Sequence, residues 1–383
     1  MPAPPWPAVA SSDLLVLLAL VLITLLALKL LPLRDIHGLL SPSPPTDPFS
    51  VQHALASYAS YRALSLAELD RMRRSYATLL TREQKRLAYE LGYTKKLNRY
   101  AELIDANARF TSAVCAFARS HYSIPPSPSP STPDLARVRD ALRHLVRDWS
   151  AECAAERAKA HAPILAVLSS LPSPSNQTVL VPGSGLNRLA HEIARLGFAV
   201  TACEVSAYQN LLYRVLARTQ QPEQHTLHPY AHWWSHARSA ADLFRAIRVP
   251  DVPPFALPSI ALLEHDFHAP SARLPPASYD AVVTLFFLDT SLNLLATLAR
   301  IRELLKRGGT WLNLGPLLWT PGQQAALEGA LDEVVAAAEA CGFVFDAQER
   351  GAKTRAVECE YTADPRAMMR WVYRAEFWAA RKV

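Results

Sequence analysis

Apolar residues follow two rhythms along this chain. Over residues 51–122, leucine, alanine, tyrosine and arginine recur at helical spacing, and residues 134–170 continue the pattern, so both stretches are predicted to form helices with one buried face. Between them lies Ile124 to Pro133 (IPPSPSPSTP), a proline-serine segment that cannot be helical. From Thr178 onward the apolar runs become short and continuous. Val179 to Val181 reads as a buried strand, followed by a glycine turn, an amphipathic helix and a second apolar strand ending on Glu204. Ser259 to Phe267 (SIALLEHDF) and Tyr279 to Thr290 (YDAVVTLFFLDT) read as further buried strands. Leu304 to Trp319 then gives a helix end, a Gly308–Gly309 turn and a fifth strand, and Ala367 to Lys382 alternates like a late strand. Strands alternating with helices predict an α/β fold on a mostly parallel sheet.

The N-terminal part carries a different signal. Leu14 to Leu33 is almost entirely apolar, with Lys29 its only charge, and is long enough to span a bilayer as a helix. The preceding residues lack a basic region and no small-residue cleavage site comes after the run, which argues against a cleaved signal peptide. Lys29 and Arg34 favour a cytosolic position for the chain on their C-terminal side. The expected organisation is a short tail (1–13), a transmembrane anchor (14–33), a proline- and serine-rich linker (34–50), a helical lid region (51–170) and an α/β domain (171–383) with an insert at about 219–258.

The chemistry is carried by Thr178 to Glu204. Gly183 and Gly185 lack the Cβ atoms that would keep the backbone from a ligand, and the helix after Leu186 points its N-terminus at the same place. Glu204 falls at the tip of the next strand, where a carboxylate can accept both hydroxyls of a ribose. A dinucleotide site wants a third glycine where this chain has Arg188, so a nicotinamide-dependent oxidoreductase is disfavoured; Asn187, which tolerates left-handed backbone, fits S-adenosylmethionine better. The strand order suits a class I S-adenosylmethionine-dependent methyltransferase, Rossmann-like, with a seven-stranded sheet. Asp266 is placed to hold the adenine amino group and Phe267 to cover the ring, although an acid there also caps a turn.

Taken together, VRDWS (Val146 to Ser150), VLVPGSGLNRLAHEIARLGF, FFLDTSLN (Phe286 to Asn293), GGTWLNLGPLLW and AMMRWVYRAEFWAARK (Ala367 to Lys382) resemble the carnosine N-methyltransferase family over roughly residues 50–383. The resemblance implies methylation of an imidazole ring nitrogen in a histidine-containing dipeptide, with S-adenosylmethionine as cofactor. It implies that Arg147 contacts the methionine carboxylate and that His144 stands where the family has a cofactor-contacting glutamine. Gly183, Glu204, Asp266 and Phe267 match cofactor positions, and Leu285 replaces a cysteine lining the same pocket. Asp289 matches the acid that holds the imidazole, and Tyr373 a tyrosine near the dipeptide. Thr320 departs from the family, which has a dipeptide-contacting histidine there.

Three of these positions have structural alternatives. Asp289 precedes the apolar helix Leu292 to Leu305 and can serve as its N-cap. Asn313, inside WLNLGP, can face the cleft or bond to backbone, and Trp371 can line the site beside Tyr373 or belong to the core.

Charge and cysteines narrow the function classes. The net charge of +6 comes from scattered Lys and Arg, and no RNA-binding module is present, so nucleic acid is not expected as a partner. His228, His232 and His236 would share one face of a helix, yet nothing completes a metal site. Five cysteines without a CxxC pair point to a reducing compartment, where the sequon at Asn176 is irrelevant. From another function class, a catalytically silent binding protein would keep the fold and tolerate Asn187 and Thr320.

Overall fold

Val179, Leu180 and Val181 are fully or almost fully buried, as a strand covered by helices on both faces requires. They form the centre of β1 (Thr178–Pro182), flanked by the parallel strands β2 (Ala199–Cys203) and β6 (Tyr279–Leu285). In chain order the strands between these are β3 (His225–Leu227), β4 (Ile247–Val249) and β5 (Ala261–Leu263), and those after are β7 (Leu305–Gly315), β8 (Phe343–Phe345), β9 (Arg355–Cys359) and β10 (Tyr373–Lys382). The main sheet runs β5-β2-β1-β6-β7-β10-β8, with β9 added against β10. It is therefore mixed and eight-stranded rather than seven-stranded: β5, β2, β1, β6 and β7 are parallel, and β10 is antiparallel to β7, β8 and β9. The order reverses at β1, whose carboxyl end meets the crevice where doubly wound sheets bind ligands.

The structure, a computed structural model, describes residues 47–124, 132–270, 273–348 and 351–383. The body Pro48–Val383 forms one unit, and Met1–Asp47 is assigned to another. The anticipated anchor at 14–33 lies outside the described residues; among those described, no helix is long and apolar enough to cross a membrane.

The helical region divides into α1 (Val51–Leu79), α2 (Arg82–Glu90), α3 (Tyr93–His121), α4 (Leu135–Trp149) and α5 (Ala154–Ser169). Thr81 starts α2 with a reciprocal capping box through Gln84. Helices α6 (Arg188–Arg195) and α7 (Ala207–Leu216) follow β1 and β2, α8 (Ala240–Leu243) lies in the insert, and α9 (Leu294–Leu304) and α10 (Leu331–Ala340) complete the other face. Helices α1, α3 and α4 share a core with α7 and with the insert residues Leu227, Tyr230, Ile247 and Val249, and Leu262 of β5 packs against it, so the helical region is built onto the β5 side of the sheet. Asn107 on α3 fixes that contact: its amide donates to the His228 carbonyl at 3.0 Å and accepts the His228 N–H at 2.8 Å.

The insert corrects one expectation. His228, His232 and His236 do not share a helix face, because residues 225–227 pair with 247–249 as an antiparallel ribbon and the chain between turns irregularly before α8. His228 instead bonds backbone carbonyls of Phe244 and Arg245, and no metal-binding cluster occurs among the described residues. A second difference concerns Gly308–Gly309: the pair lies inside β7, in a bulge where the register passes from Tyr279↔Leu305 to Ala281↔Thr310.

Candidate active site

The glycine turn leaves β1 as expected. Gly183 has φ +60° and Gly185 φ +55°, left-handed values that cost a residue with a Cβ, and a Cβ on Gly183 would stand 2.4 Å from Cδ2 of Phe287. Asn187, also left-handed at φ 65°, precedes α6 and is fully buried. Glu204, at the end of β2, accepts the Gly185 N–H with one oxygen and the Ser206 N–H with the other, both at 2.8 Å. Burial pushes its carboxyl above the ordinary glutamate value, and those backbone N–H groups oppose the rise.

The C-terminal turn of α4 closes one side. Trp149, wholly buried, donates its indole N–H to the Leu186 carbonyl at 3.0 Å and so bolts the VRDW segment to the glycine turn. Arg147 grips Asp148 with a two-pronged contact at 2.6 and 3.0 Å, and both stand about one van der Waals contact from where a Gly185 Cβ would be. Burial alone would raise the Asp148 carboxyl, but the adjoining guanidinium outweighs it and holds the carboxyl below its usual range. His144, one turn back, faces Gln209 at 3.0 Å; burial, helped by the Arg147 charge, lowers its pKa to about 4, so the ring is neutral. Arg188 turns away from the crevice, bonding Asp251 and Glu192 and lying over the Trp149 ring. Its place in the chain is the one where a dinucleotide motif carries its third glycine.

Several buried polar atoms around this turn have no protein partner: Ser184 Oγ, both side-chain polar atoms of Asn187, His144 Nε2, Gln209 Oε1 and Asn210 Oδ1. Buried polar atoms are normally satisfied, so a cluster of orphans marks a place completed by a polar ligand. A ribose, an amine and a carboxylate are the groups such a lining suits.

The tip of β6 borders the same crevice. Phe287 packs against Gly183 and meets Phe267 edge-on at 5.6 Å, while Phe286 stacks on Tyr361 at 4.5 Å and meets Tyr373 edge-on at 5.5 Å. Tyr361 also lies under the Arg147 guanidinium, 4.5 Å from ring centre, and edge-on to His144. Tyr361 also lines a cavity of about 450 Å³ shared with other aromatic side chains, among them Trp233, Trp371 and Tyr373, and with Arg143, Asp242, Asp364 and Arg366. Tyr361 thus touches both Arg147, beside the glycine turn, and the larger cavity. The loop that carries it is held by Glu156, which accepts the Thr362 N–H at 2.6 Å and that of Ala363 at 3.2 Å, and by Arg143, which donates to the Thr362 carbonyl.

The structure brings His144, Arg147, Gly183, Gly185 and Glu204 together around one crevice, with Leu285 beside Arg147 and Tyr361 in a small adjoining space. Tyr373 opens β10 and, with the exposed Trp371, lines the larger cavity; Trp371 precedes the strand instead of alternating within it, which explains its 68% exposure. Asp266 is exposed and accepts the His268 N–H at 2.8 Å, capping the turn, and Phe267 is buried in the core beside Phe287. Asp289 does not cap the next helix, since Asn293 does so through the Ala296 N–H. Its carboxylate, 4% exposed, accepts the Leu318 N–H at 3.0 Å, and burial raises its pKa. Thr320 donates its N–H to the Asp289 carbonyl, joining the two loops. Asn313 faces the sheet: its carbonyl accepts the Thr284 hydroxyl at 2.8 Å and its amide donates to the Glu376 carbonyl, so it takes the structural alternative.

Tyr361 and Asp148 went unread in the sequence. Asp148 stands inside VRDWS, where a carboxylate beside an arginine was the available signal; Tyr361 sits in an irregular stretch whose place in the fold no local pattern announces.

The sequence model of a family described as carnosine N-methyltransferase matches residues 126–383. Among known relatives, the carnosine N-methyltransferase of Rattus norvegicus is 32% identical over 264 residues, covering 66% of this chain and 64% of that protein. That of Schizosaccharomyces pombe is 33% identical over 270 residues, covering 64% of this chain and 71% of the relative. The match therefore spans just under two thirds of the length of the rat protein.

Proposed function

Starting from the fact that the chain belongs to the carnosine N-methyltransferase family, we propose that it transfers a methyl group from S-adenosylmethionine to an imidazole nitrogen of a histidine-containing dipeptide or peptide. The observation that carries this reading is the cluster of orphaned buried polar atoms around Gly183–Asn187, set beside an aromatic cavity of dipeptide size.

The residues present fit the cofactor. Glu204 has lone pairs left on both oxygens after accepting Gly185 and Ser206, enough for two ribose hydroxyls. Arg147 and Asp148 form an adjacent cation and anion, complementary to the carboxylate and amine of an amino acid. Asp266 would take the adenine amino group with its remaining lone pairs, and Phe267 and Phe287 supply apolar surface nearby, while Leu285 lies at the Arg147 end. S-adenosylmethionine, when bound, supplies an electrophilic methyl group on a sulfonium.

The chain's own part is alignment. An imidazole attacks with an unprotonated nitrogen while the other nitrogen keeps its proton. The family resemblance gives Asp289, which does not line the aromatic cavity, the part of accepting that N–H, fixing the tautomer and stabilising the imidazolium product. Tyr373 and Trp371 hold the ring and side chain of the acceptor, and Arg143 and Arg366 suit a terminal carboxylate. Thr320 is exposed, outside the lining of the aromatic cavity, and offers a shorter, uncharged group where the family has a histidine. Holding the two reactants in line is worth roughly 7 to 11 kcal/mol in favourable cases.

Incubation with methyl-labelled cofactor and carnosine, anserine, histidine or histidine-containing peptides tests this. Label on the imidazole of carnosine but not of anserine is expected; no label on any imidazole, with cofactor bound, means a silent binding protein.

Localisation is a separate proposal. The apolar run 14–33, flanked by Lys29 and Arg34, supports a single-pass anchor that leaves the catalytic domain in the cytosol. Extraction of the full chain by alkaline carbonate would refute it.

A further inference from the structure

The far end of the helical region is built unlike the rest of the surface. Residues 70–99, the end of α1, all of α2 and the start of α3, hold nine lysines and arginines against three carboxylates, a net of +6 that equals the net charge of the whole chain. The remainder is balanced. On the same tip Leu79 is 77%, Leu87 56%, Tyr89 65% and Leu91 78% exposed, and α2 buries no residue at all. Large apolar side chains grouped in this way on a charged tip are unusual for a surface that meets only water.

The tip is also preformed. The capping box of Thr81 and Gln84 fixes the start of α2, and the Tyr76 hydroxyl donates to the Lys85 carbonyl at 3.1 Å. Tyr76 stacks on Tyr93 at 5.5 Å, joining the end of α1 to the start of α3. Leu87 and Leu91, one turn apart, are thus held outward beside Arg82, Lys85 and Arg86.

We propose that this tip docks on an anionic lipid bilayer, its leucines and Tyr89 entering the headgroup boundary and its cations meeting lipid phosphates and carboxylates. Cations alone would suit any polyanion. Leucines presented among them favour an interface with an apolar interior, the arrangement of helices that lie in a membrane surface. The inference is independent of the site chemistry, since none of these residues borders the crevice or the cavity.

Co-sedimentation of the full chain with vesicles of phosphatidylcholine, with and without phosphatidylserine, tests it. The full chain is first held in phosphatidylcholine nanodiscs, which take up the 14–33 segment, so that co-sedimentation with the larger vesicles reads the tip. Wild type should prefer the anionic vesicles, and the preference should fall as salt rises. Arg82→Gln with Lys85→Gln and Arg86→Gln should weaken anionic binding roughly 100-fold. Leu87→Ser with Leu91→Ser should also weaken it, at unchanged charge and unchanged methyl transfer. Equal binding of wild type to both vesicle types overturns the proposal, and so does a loss confined to the charge variant, which would indicate a polyanion such as RNA.

Discussion

Replacing Glu204 by glutamine separates the charge of the crevice from its shape. The carboxylate is 7% exposed and accepts one backbone N–H on each oxygen at 2.8 Å. Glutamine keeps one acceptor oxygen and turns an NH₂ toward the other N–H, so one charge-assisted bond within the turn is lost, and with it one acceptor for a ribose hydroxyl. Hydrogen bonds to charged groups contribute about 1.5 to 3 kcal/mol, so the Kd for S-adenosylmethionine should rise about 10- to 150-fold. Calorimetry on wild type and variant reads this directly. The pH dependence gives a second reading. Burial raises the folded-state pKa of Glu204, so the wild type should lose cofactor affinity as pH falls through that raised value, and Glu204→Gln should not. The same shift means that the folded chain binds this proton more tightly than the unfolded one. This term therefore favours folding below the unfolded pKa and costs stability as pH rises through the folded one, a cost that glutamine removes. A variant Kd within about threefold of wild type, with an unchanged pH profile, would refute the assignment of Glu204 to the ribose.

Asp289→Asn should abolish turnover while leaving the cofactor Kd unchanged by calorimetry. Because burial raises the pKa of Asp289 and asparagine can still accept the Leu318 N–H, its urea midpoint at neutral pH should not fall. Gly183→Ala should destabilise the fold by at least the ~1–2 kcal/mol of a left-handed L-residue, with displacement of Phe287 adding to it, read by urea denaturation. Asn107→Leu should cost about 1–3 kcal/mol for each backbone group of His228 left unsatisfied, read in the same way, with little change in cofactor affinity. Tyr361→Ala should raise KM for the acceptor and lower kcat together, because it removes a ring that both supports Arg147 and lines the cavity, whereas Tyr361→Phe, which keeps the ring stacked on Phe286, should retain most activity in steady-state assays.

Periodicity revealed what depends on neighbours in the chain. The run Val179 to Val181, the glycines after it and the carboxylate at the end of β2 are local, and they fall where the sequence placed them. The helices were visible as a region but not as five, since the breaks at Leu80–Thr81 and Leu91–Gly92 rest on cap geometry and a single left-handed glycine. Long-range pairing was less legible. Strand β9 exists because β10 offers it an edge, and the three insert histidines, regular in spacing, are separated because residues 225–227 pair with 247–249. In the site the same division holds. Arg147 and Glu204 were readable from motifs; Tyr361 was not, because its position depends on Glu156, Arg143 and Phe286, residues far away in the chain. Asn313 shows the converse, a polar residue in an apolar run whose partners, Thr284 and Glu376, lie on two neighbouring strands.

A crystal of the full chain grown with S-adenosylhomocysteine tests the assignment of the glycine-turn crevice to the cofactor. The ribose hydroxyls should lie on Glu204 and the amino-acid end between Arg147 and Asp148, with Asn187 and Ser184 no longer orphaned. Ligand bound elsewhere, or a crevice left empty at saturating concentration, would contradict it.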